Sequence, residues 1–331
     1  MRWLITGGCG FIGVNIVETI RKNDPTSYIR IVDNLSSGSE AMLSRVCEFT
    51  KPTGSLSTPA GECHLYIENI TKADVAYSIC KDIDVVIHLA ASTGVPVSIE
   101  YPRTDLESNV IGTFNYLEGA KRGGARVFIF ASTSASSGGY NPPFHEKLFP
   151  RPIAPYGASK CAGEAYCHVY HEAYGLNTVA LRFSNIYGPH SINKKAQLVT
   201  NFITGMMEGR VLQIFGDGTQ TRDYCYVGDL MDAIMAAIDK SEQIGGHVIQ
   251  IATNVETTVK QVSDLIFDAL DYYGDIPEVN IEYVNERPGD LQRNYSDVSK
   301  AKALLGWSNK VPIDEGIEET VLWYLKNYKV S

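Results

Sequence analysis

"RWLITGGCGFIG", residues 2–13, decides how the rest of this chain is read. Arg2–Thr6 is a short apolar run, glycines follow at 7, 10 and 13, and Phe11–Lys22 continues with helical periodicity. A strand, a tight turn and a helix in that order bring the helix N-terminus, with its free N–H groups and its dipole, up to the turn. A diphosphate is stabilised there. Glycine spacing alone is a weak sign, because a glycine-rich turn also serves close packing. The second strand strengthens it: Tyr28–Val32 runs into Asp33, twenty residues beyond Gly13, where a carboxylate accepts hydrogen bonds from an adenosine ribose. The same negative charge opposes the extra phosphate of NADP, so NAD is the expected cofactor.

Outward from this unit, strand-like and helix-like stretches alternate. His64–Ile67 precedes Asp74–Lys81, Val85–Leu89 precedes Thr104–Lys121, Arg126–Ser132 precedes Tyr156–Tyr174, and Thr178–Phe183 follows. Such alternation predicts an α/β fold, a doubly wound parallel sheet covered on both faces. After Gly188 the rhythm loosens. Helices are expected over Leu198–Glu208, Leu230–Lys240, Val259–Tyr272 and the C-terminus, with strands over Val211–Phe215, Asp223–Val227, Val248–Ile251 and Val279–Val284. This reads as a nucleotide-binding domain over 1–185 and a smaller α/β lobe over 186–331, some of whose elements return to the first domain. Residues 50–62, "TKPTGSLSTPAGE", are a loop-like insertion.

Composition sets limits on the partners. The chain has 331 residues, 44% hydrophobic and 20% charged, as in a soluble globular protein. No apolar run reaches the ~18 residues of a membrane span, and no signal-peptide pattern precedes the first strand, so a cytoplasmic protein is expected. The seven cysteines include no C-x-x-C pair and read as buried free thiols. A net charge of −9 argues against nucleic acid or an anionic membrane as partner.

Two features carry chemistry. "FIFAST" ends the fifth strand at Thr133, and "PYGASK" places Tyr156 and Lys160 four residues apart, on one face at the start of a helix. A phenol titrates near pH ~10 and is a poor base at neutral pH unless a cation stabilises its anion. Lys160, aided by the positive nicotinamide, supplies one. Either motif alone is an ordinary helix pair or strand end; the conjunction with the dinucleotide turn gives them weight.

With "TGGCGFIG", "VDNLSSG", "VIHLAA", "NVIGTFNYLEGA", "FIFAST", "PYGASK", "LRFSNIYGP", "FGDGTQTRDYCYVGD" and "RPGD" in this order, the chain resembles the extended short-chain dehydrogenases, in particular the NAD-dependent nucleotide-sugar epimerases and dehydratases. The resemblance implies a Rossmann-like first domain in which Gly7, Gly10, Phe11, Ile12, Asp33 and Asn34 bind NAD, with Asn69 and Ile70 beside the adenine. Leu89, Ala90, Ala91, Asn109, Tyr156, Lys160 and Phe183 complete that pocket. His88 reads as an interior residue of its strand. On the substrate side the resemblance implies Thr133 and Ser134 at the sugar, Asn185 at the diphosphate or sugar, and Leu198 and Val199 at the nucleoside. It further implies Gln213 and Phe215 at the base, Arg222 and Arg287 at the diphosphate and Asp290 at the ribose. Thr133, Tyr156 and Lys160 are the expected catalytic residues, and no metal is required.

The reaction so implied is epimerisation at C4 of a UDP-sugar through a transient 4-keto sugar. Related dehydratases follow the catalytic Thr with an Asp-Glu pair, and decarboxylases place a Glu two residues after it. Here Ser134 and Ala135 stand in those places, which disfavours both reactions. A non-catalytic NAD-sensing protein on the same fold is a third reading, opposed by the intact Thr133, Tyr156 and Lys160. The segment Ser136-Ser137-Gly138-Gly139 departs from the usual epimerase pattern and leaves the sugar substituents open. A hydroxyl-rich turn there is compatible with a C6 carboxylate, His190 stands near an Arg of some glucuronate-acting relatives, and Asn294 is small enough to admit an N-acetyl group at C2. Many relatives are homodimers through the helices corresponding to 104–121 and 156–174, and a homodimer is expected here.

Overall fold

The computed structural model describes residues 1–52, 58–194, 197–274, 276–286 and 291–329. Seven parallel strands form its main sheet: β1 (Arg2–Thr6), β2 (Tyr28–Asp33), β3 (Cys63–Ile67), β4 (Val85–His88), β5 (Val127–Thr133), β6 (Asn177–Phe183) and β7 (Val248–Ile251). Their order is β3-β2-β1-β4-β5-β6-β7. Side chains alternate between faces, so Trp3, Ile5, Ile29 and Ile31 enter one core while Leu4, Tyr28 and Val32 enter the other. Both faces are covered, which is why these strands read as near-continuous apolar runs. The first core is closed by α1 (Phe11–Asn23), and the second by Ala73–Ile79, α2 (Gly112–Gly123) and α3 (Pro155–Tyr174). The chain winds from β1 to β2 in one direction and to β4 in the other, which opens a crevice at the carboxyl ends of β1 and β4.

The later part of the chain contributes to both cores and also builds its own. Helix α4 (Leu198–Met207) packs with Val259–Tyr273 and Ile313–Asn327 around Phe202, Ile203, Ile266 and Val321, beside a parallel pair of short strands, Leu212–Phe215 and Ile281–Val284. Helix α5 (Val227–Asp239) instead places Leu230, Ala233 and Ile234 in the first core, and β7 pairs with β6. All seven cysteines are unpaired, six of them buried. Among the described residues no helix is long and apolar enough to cross a membrane.

The single helix expected over 104–121 is instead three pieces: Pro102–Leu106, a π-helical turn over Glu107–Ile111, and α2. The wide turn surrounds Asn109, whose amide fits around the backbone of Ser92: the Ser92 N–H donates to Oδ1 at 2.8 Å and the Ser92 carbonyl accepts from Nδ2 at 2.9 Å. Nδ2 also donates to Asp105 at 2.8 Å. This tertiary demand, rather than local propensity, displaces the α-helical bonds.

Helix α3 lies close on the sheet because residue 163 is glycine; a Cβ there would stand 2.3 Å from the Phe130 ring. Next to it the buried Glu164 carboxylate accepts from Arg182 of β6 through two bonds of 2.7 Å and from the Ser132 hydroxyl of β5 at 2.5 Å. Removing one partner of a buried ion pair leaves the other charge without compensation. Glu164→Gln should therefore lower the unfolding free energy by about 3–5 kcal/mol in urea titrations followed by tryptophan fluorescence; an unchanged midpoint and slope would show that the pair contributes nothing to stability.

Candidate active site

The crevice between β1 and β4 is a cleft of about 450 Å³ lined by Gly7, Gly10, Asp33, Asn34, Asn69, Ile70, Leu89, Ala90 and Ala91, all expected there from the sequence. Gly7 sits at φ +72°, and a Cβ on it would meet the Ala90 nitrogen at 2.9 Å, so the turn lies directly against the end of β4. Helix α1 begins after Gly10 with no side chain capping its end. Asp33 accepts from the Cys9 N–H at 2.9 Å and the Leu35 N–H at 2.8 Å, which fixes its carboxylate beside the turn; burial pushes its pKa upward against the effect of these two bonds. Asn69 holds an Asx-type turn, its Oδ1 accepting from the Thr71 N–H and hydroxyl, each at 3.0 Å. A flat cradle, an uncapped helix end and a fixed carboxylate fit a dinucleotide.

A smaller recess of about 120 Å³ continues from the cleft, lined by Phe11, Ile12, Tyr156, Lys160 and Phe183 together with Gly7 and Gly10. Lys160 is buried and donates to the Ala131 carbonyl at 2.8 Å, with its Nζ 5.9 Å from the centre of the Tyr156 ring. Burial, and then the charge of Asp105, pushes the Tyr156 phenol up to about 12. Burial lowers Lys160 from 10.5 to about 8, against the opposing pull of Asp105. Without a ligand the phenol is thus protonated at neutral pH. Thr133, half-buried at the end of β5, accepts from the Ala135 N–H at 3.2 Å. Asn109 stands behind the cleft, holding Ser92 of its wall. His88 is interior: Thr6 and Thr113 meet its two ring nitrogens at 2.9 and 3.1 Å, and burial lowers it to about 3.

A second groove of about 440 Å³ gathers Asn185, Leu198, Gln213, Phe215 and Arg222, with Arg210 and Tyr224 that the sequence reading did not include. Arg222 donates to the carbonyls of Thr221 and Leu291 at 2.8 and 2.7 Å. Val199 is turned into the core of its lobe. Arg287 and Asp290 lie outside the described residues. Beside this groove, and sharing Arg222 with it, a recess of about 180 Å³ is walled by Val95, Ala135, Gly138, Ile153, Leu291 and Asn294. The serine hydroxyls of the turn are engaged elsewhere: Ser134 donates to Gln250 at 3.2 Å, Ser136 to the Thr133 carbonyl at 3.0 Å, and Ser137 accepts from Arg182 at 3.4 Å.

Sequence reasoning also passed over Ser36, Ser37, Gly38, Thr93 and Lys194, which line the cleft, Asp105, which acts on both Tyr156 and Lys160, and Glu164, on the same helix as that pair. Glu164 repeats the spacing of Tyr156 and Lys160, a signal present in the sequence; Lys194 has none. The depressed amine of Lys160 gives a test of the site's electrostatics. Between pH 8 and 10.5 the unfolded chain holds this proton and the folded, ligand-free protein does not, so its contribution to stability rises with pH across that window. In unfolding titrations the wild type should gain stability relative to Lys160→Met from pH 8 to 10.5; a constant difference would show that Lys160 titrates as an ordinary lysine.

The matches to known proteins agree with this geometry. The model of the NAD dependent epimerase/dehydratase family matches residues 3–252. The chain is 34% identical to a putative UDP-glucose 4-epimerase of Methanocaldococcus jannaschii over 98% of each chain, and 31% identical to a UDP-glucuronate 4-epimerase of Thermodesulfobacterium geofontis over 99% of this chain and 97% of that one. The crystal structure of Thermotoga maritima UDP-glucose 4-epimerase with UDP-glucose superposes with a TM-score of 0.86 at 33% identity, covering 99% of this chain and 100% of the other. That of Bacillus cereus UDP-glucuronic acid 4-epimerase with UDP-glucuronic acid and NAD gives 0.86 at 28% identity, with the same coverage. The dinucleotide cleft, the half-buried Tyr156 with the buried Lys160, and the groove beside them therefore belong to a member of the NAD dependent epimerase/dehydratase family.

Proposed function

We propose that this protein epimerises a UDP-sugar at C4 through a transient 4-keto sugar. The observation that carries the reading is the position of Tyr156 and Lys160 at the inner end of the dinucleotide cleft, with a separate groove holding Arg222 beside them. NAD, when bound, supplies reversible hydride acceptance at the sugar C4. The Tyr156 oxygen takes the proton of the 4-hydroxyl and later returns it, Thr133 hydrogen-bonds the reacting oxygen, and the Lys160 ammonium stabilises the phenolate. Asn185, Leu198, Gln213 and Phe215 hold the nucleotide, and Arg222, with Arg287, offers its planar fork to the diphosphate. Ser134 and Ala135 put no carboxylate after Thr133, which supports epimerisation over elimination or decarboxylation. In this reading residues 1–185 carry the cofactor and 186–331 the nucleotide sugar, with α5 and β7 returning to the first unit.

The inward-facing serines bear on the sugar. With their hydroxyls engaged in internal bonds and Arg222, the charge of this recess, committed in this reading to the diphosphate, the remaining wall of Val95, Ala135, Gly138, Ile153 and Leu291 suits a neutral substituent better than a carboxylate. Purified protein incubated with UDP-glucose, UDP-N-acetylglucosamine and UDP-glucuronate should form 4-epimers without net NAD reduction, with kcat/KM at least about tenfold higher for a neutral sugar than for the uronate. Release of carbon dioxide, or a stable 4-keto-6-deoxy product, would overturn the reaction; a preference for UDP-glucuronate would overturn the assignment of the wall. Tyr156→Phe should abolish turnover while leaving NAD bound.

The two helical stretches expected at a dimer interface expose Leu106, Ile111, Tyr166 and Val169, and the neighbouring Val97, Ile99 and Tyr101 are exposed as well. Apolar side chains gathered in this way suit a second copy packed as a four-helix interface. Sedimentation should give twice the 36.4 kDa chain mass, and Val169→Glu should shift it toward the monomer.

A further inference from the structure

Two cavities meet at the glycine turn. The larger holds Asp33, Asn34, Asn69 and Ile70, the adenosine end; the smaller holds Tyr156, Lys160 and Phe183, the nicotinamide end. The residues lining both are Gly7, Gly10, Leu89, Ala91, Thr93 and Lys194. In a dinucleotide that spans both cavities, the group lying at their junction is the diphosphate, with two negative charges. Among the described residues, Lys194 is the single charged one of the shared set. The helix N-terminus at Gly10 offers about +0.5 of a charge, and Lys160 is held on the Ala131 carbonyl at the nicotinamide end.

Lys194 reaches the junction from the connection between Tyr187 and α4, in the later part of the chain, and the stretch of it leading to Lys194 is pinned in place. Asn15 of α1 donates to the Pro189 carbonyl at 3.1 Å, the Ser191 hydroxyl donates to the Gly188 carbonyl at 2.8 Å, and the Lys194 N–H donates to the Ser191 carbonyl at 2.7 Å. The loop carrying the ammonium is thus fastened to the same helix whose N-terminus faces the diphosphate. Burial lowers the Lys194 pKa, and no charge among the described residues offsets it, as expected of a cation whose counter-anion is a ligand. The nucleotide-sugar groove, which holds Arg210 and Arg222, does not include it.

We infer that Lys194 is a cofactor-binding residue that neutralises the NAD diphosphate. The inference rests on the assignment of NAD to this cleft. The test is calorimetric binding of NAD, ADP, adenosine and UDP to NAD-stripped wild type, Lys194→Gln and Lys194→Arg, each checked for an unchanged unfolding midpoint. Loss of one charge-assisted contact corresponds to roughly 10-fold or more weaker binding of NAD and ADP to Lys194→Gln. Adenosine and UDP should remain within about 2-fold, the salt dependence of NAD binding should become shallower, and Lys194→Arg should recover much of the affinity. Equal NAD affinities in wild type and Lys194→Gln would overturn the role while leaving the epimerase reading intact. Selective loss of UDP binding would also overturn it, by placing the charge at the sugar nucleotide. No NAD binding by the wild type would overturn both.

Discussion

The buried Glu164 carboxylate fixes the geometry on which the site depends. It is bonded at once to Arg182 of β6 and to Ser132, the residue before Thr133 in β5, and it projects from the helix that also carries Tyr156 and Lys160. Because each charge is costly without the other, compact arrangements that slide α3 by a residue, or separate β5 from β6, are penalised. The glycine at 163 sets the second coordinate by letting the helix settle against Phe130. Tyr156, two turns toward the N-terminus, is thereby brought to the strand end that presents Thr133. Arg182 reaches further, to Ser137, and so ties down the turn after Thr133.

The cofactor cleft has a different origin, in topology. A doubly wound sheet must open between β1 and β4, where the winding reverses, and the loops leaving those strands cannot cover the gap. The chain lines the gap with backbone at the Gly7 turn and with a carboxylate, Asp33, bonded to the Cys9 N–H of that turn. On the opposite wall the π-helical turn at Asn109 grips both polar groups of Ser92. Both walls are held by side-chain to backbone bonds, so the cleft is shaped without a ligand.

The repeating features were legible in the sequence. Strands buried on both faces are apolar runs, amphipathic helices show their period, and the glycine turn, Asp33, Tyr156 and Lys160 stand at spacings dictated by a single strand or helix. What escaped depended on contacts between distant segments. The break at 107–111 arises from Ser92, Lys194 reaches the cleft through a loop fastened to α1 by Asn15, and a count of hydroxyls in "STSASS" says nothing of their direction. Ser134, Ser136 and Ser137 turn inward because Gln250, the Thr133 carbonyl and Arg182 are there to receive them. Glu164 is an intermediate case, at the right spacing but interpretable only once Arg182 is known to lie opposite.

Asp105 gives the electrostatics of the site a direction. It is buried beneath Asn109 and acts on both members of the pair, raising the phenol of Tyr156 and opposing the loss of the Lys160 proton. With a phenol near 12 and an amine near 8, the ligand-free protein holds a neutral tyrosine that is no base at neutral pH. The recess lined by Tyr156, Lys160 and Phe183 would hold the nicotinamide, whose positive charge would offset the effect of burial and Asp105 and so stabilise the Tyr156 phenolate. Proton abstraction is then coupled to the presence of the oxidised cofactor. Without that charge the phenol holds its proton strongly, so Tyr156 would keep the proton it has taken until it is returned to the sugar oxygen.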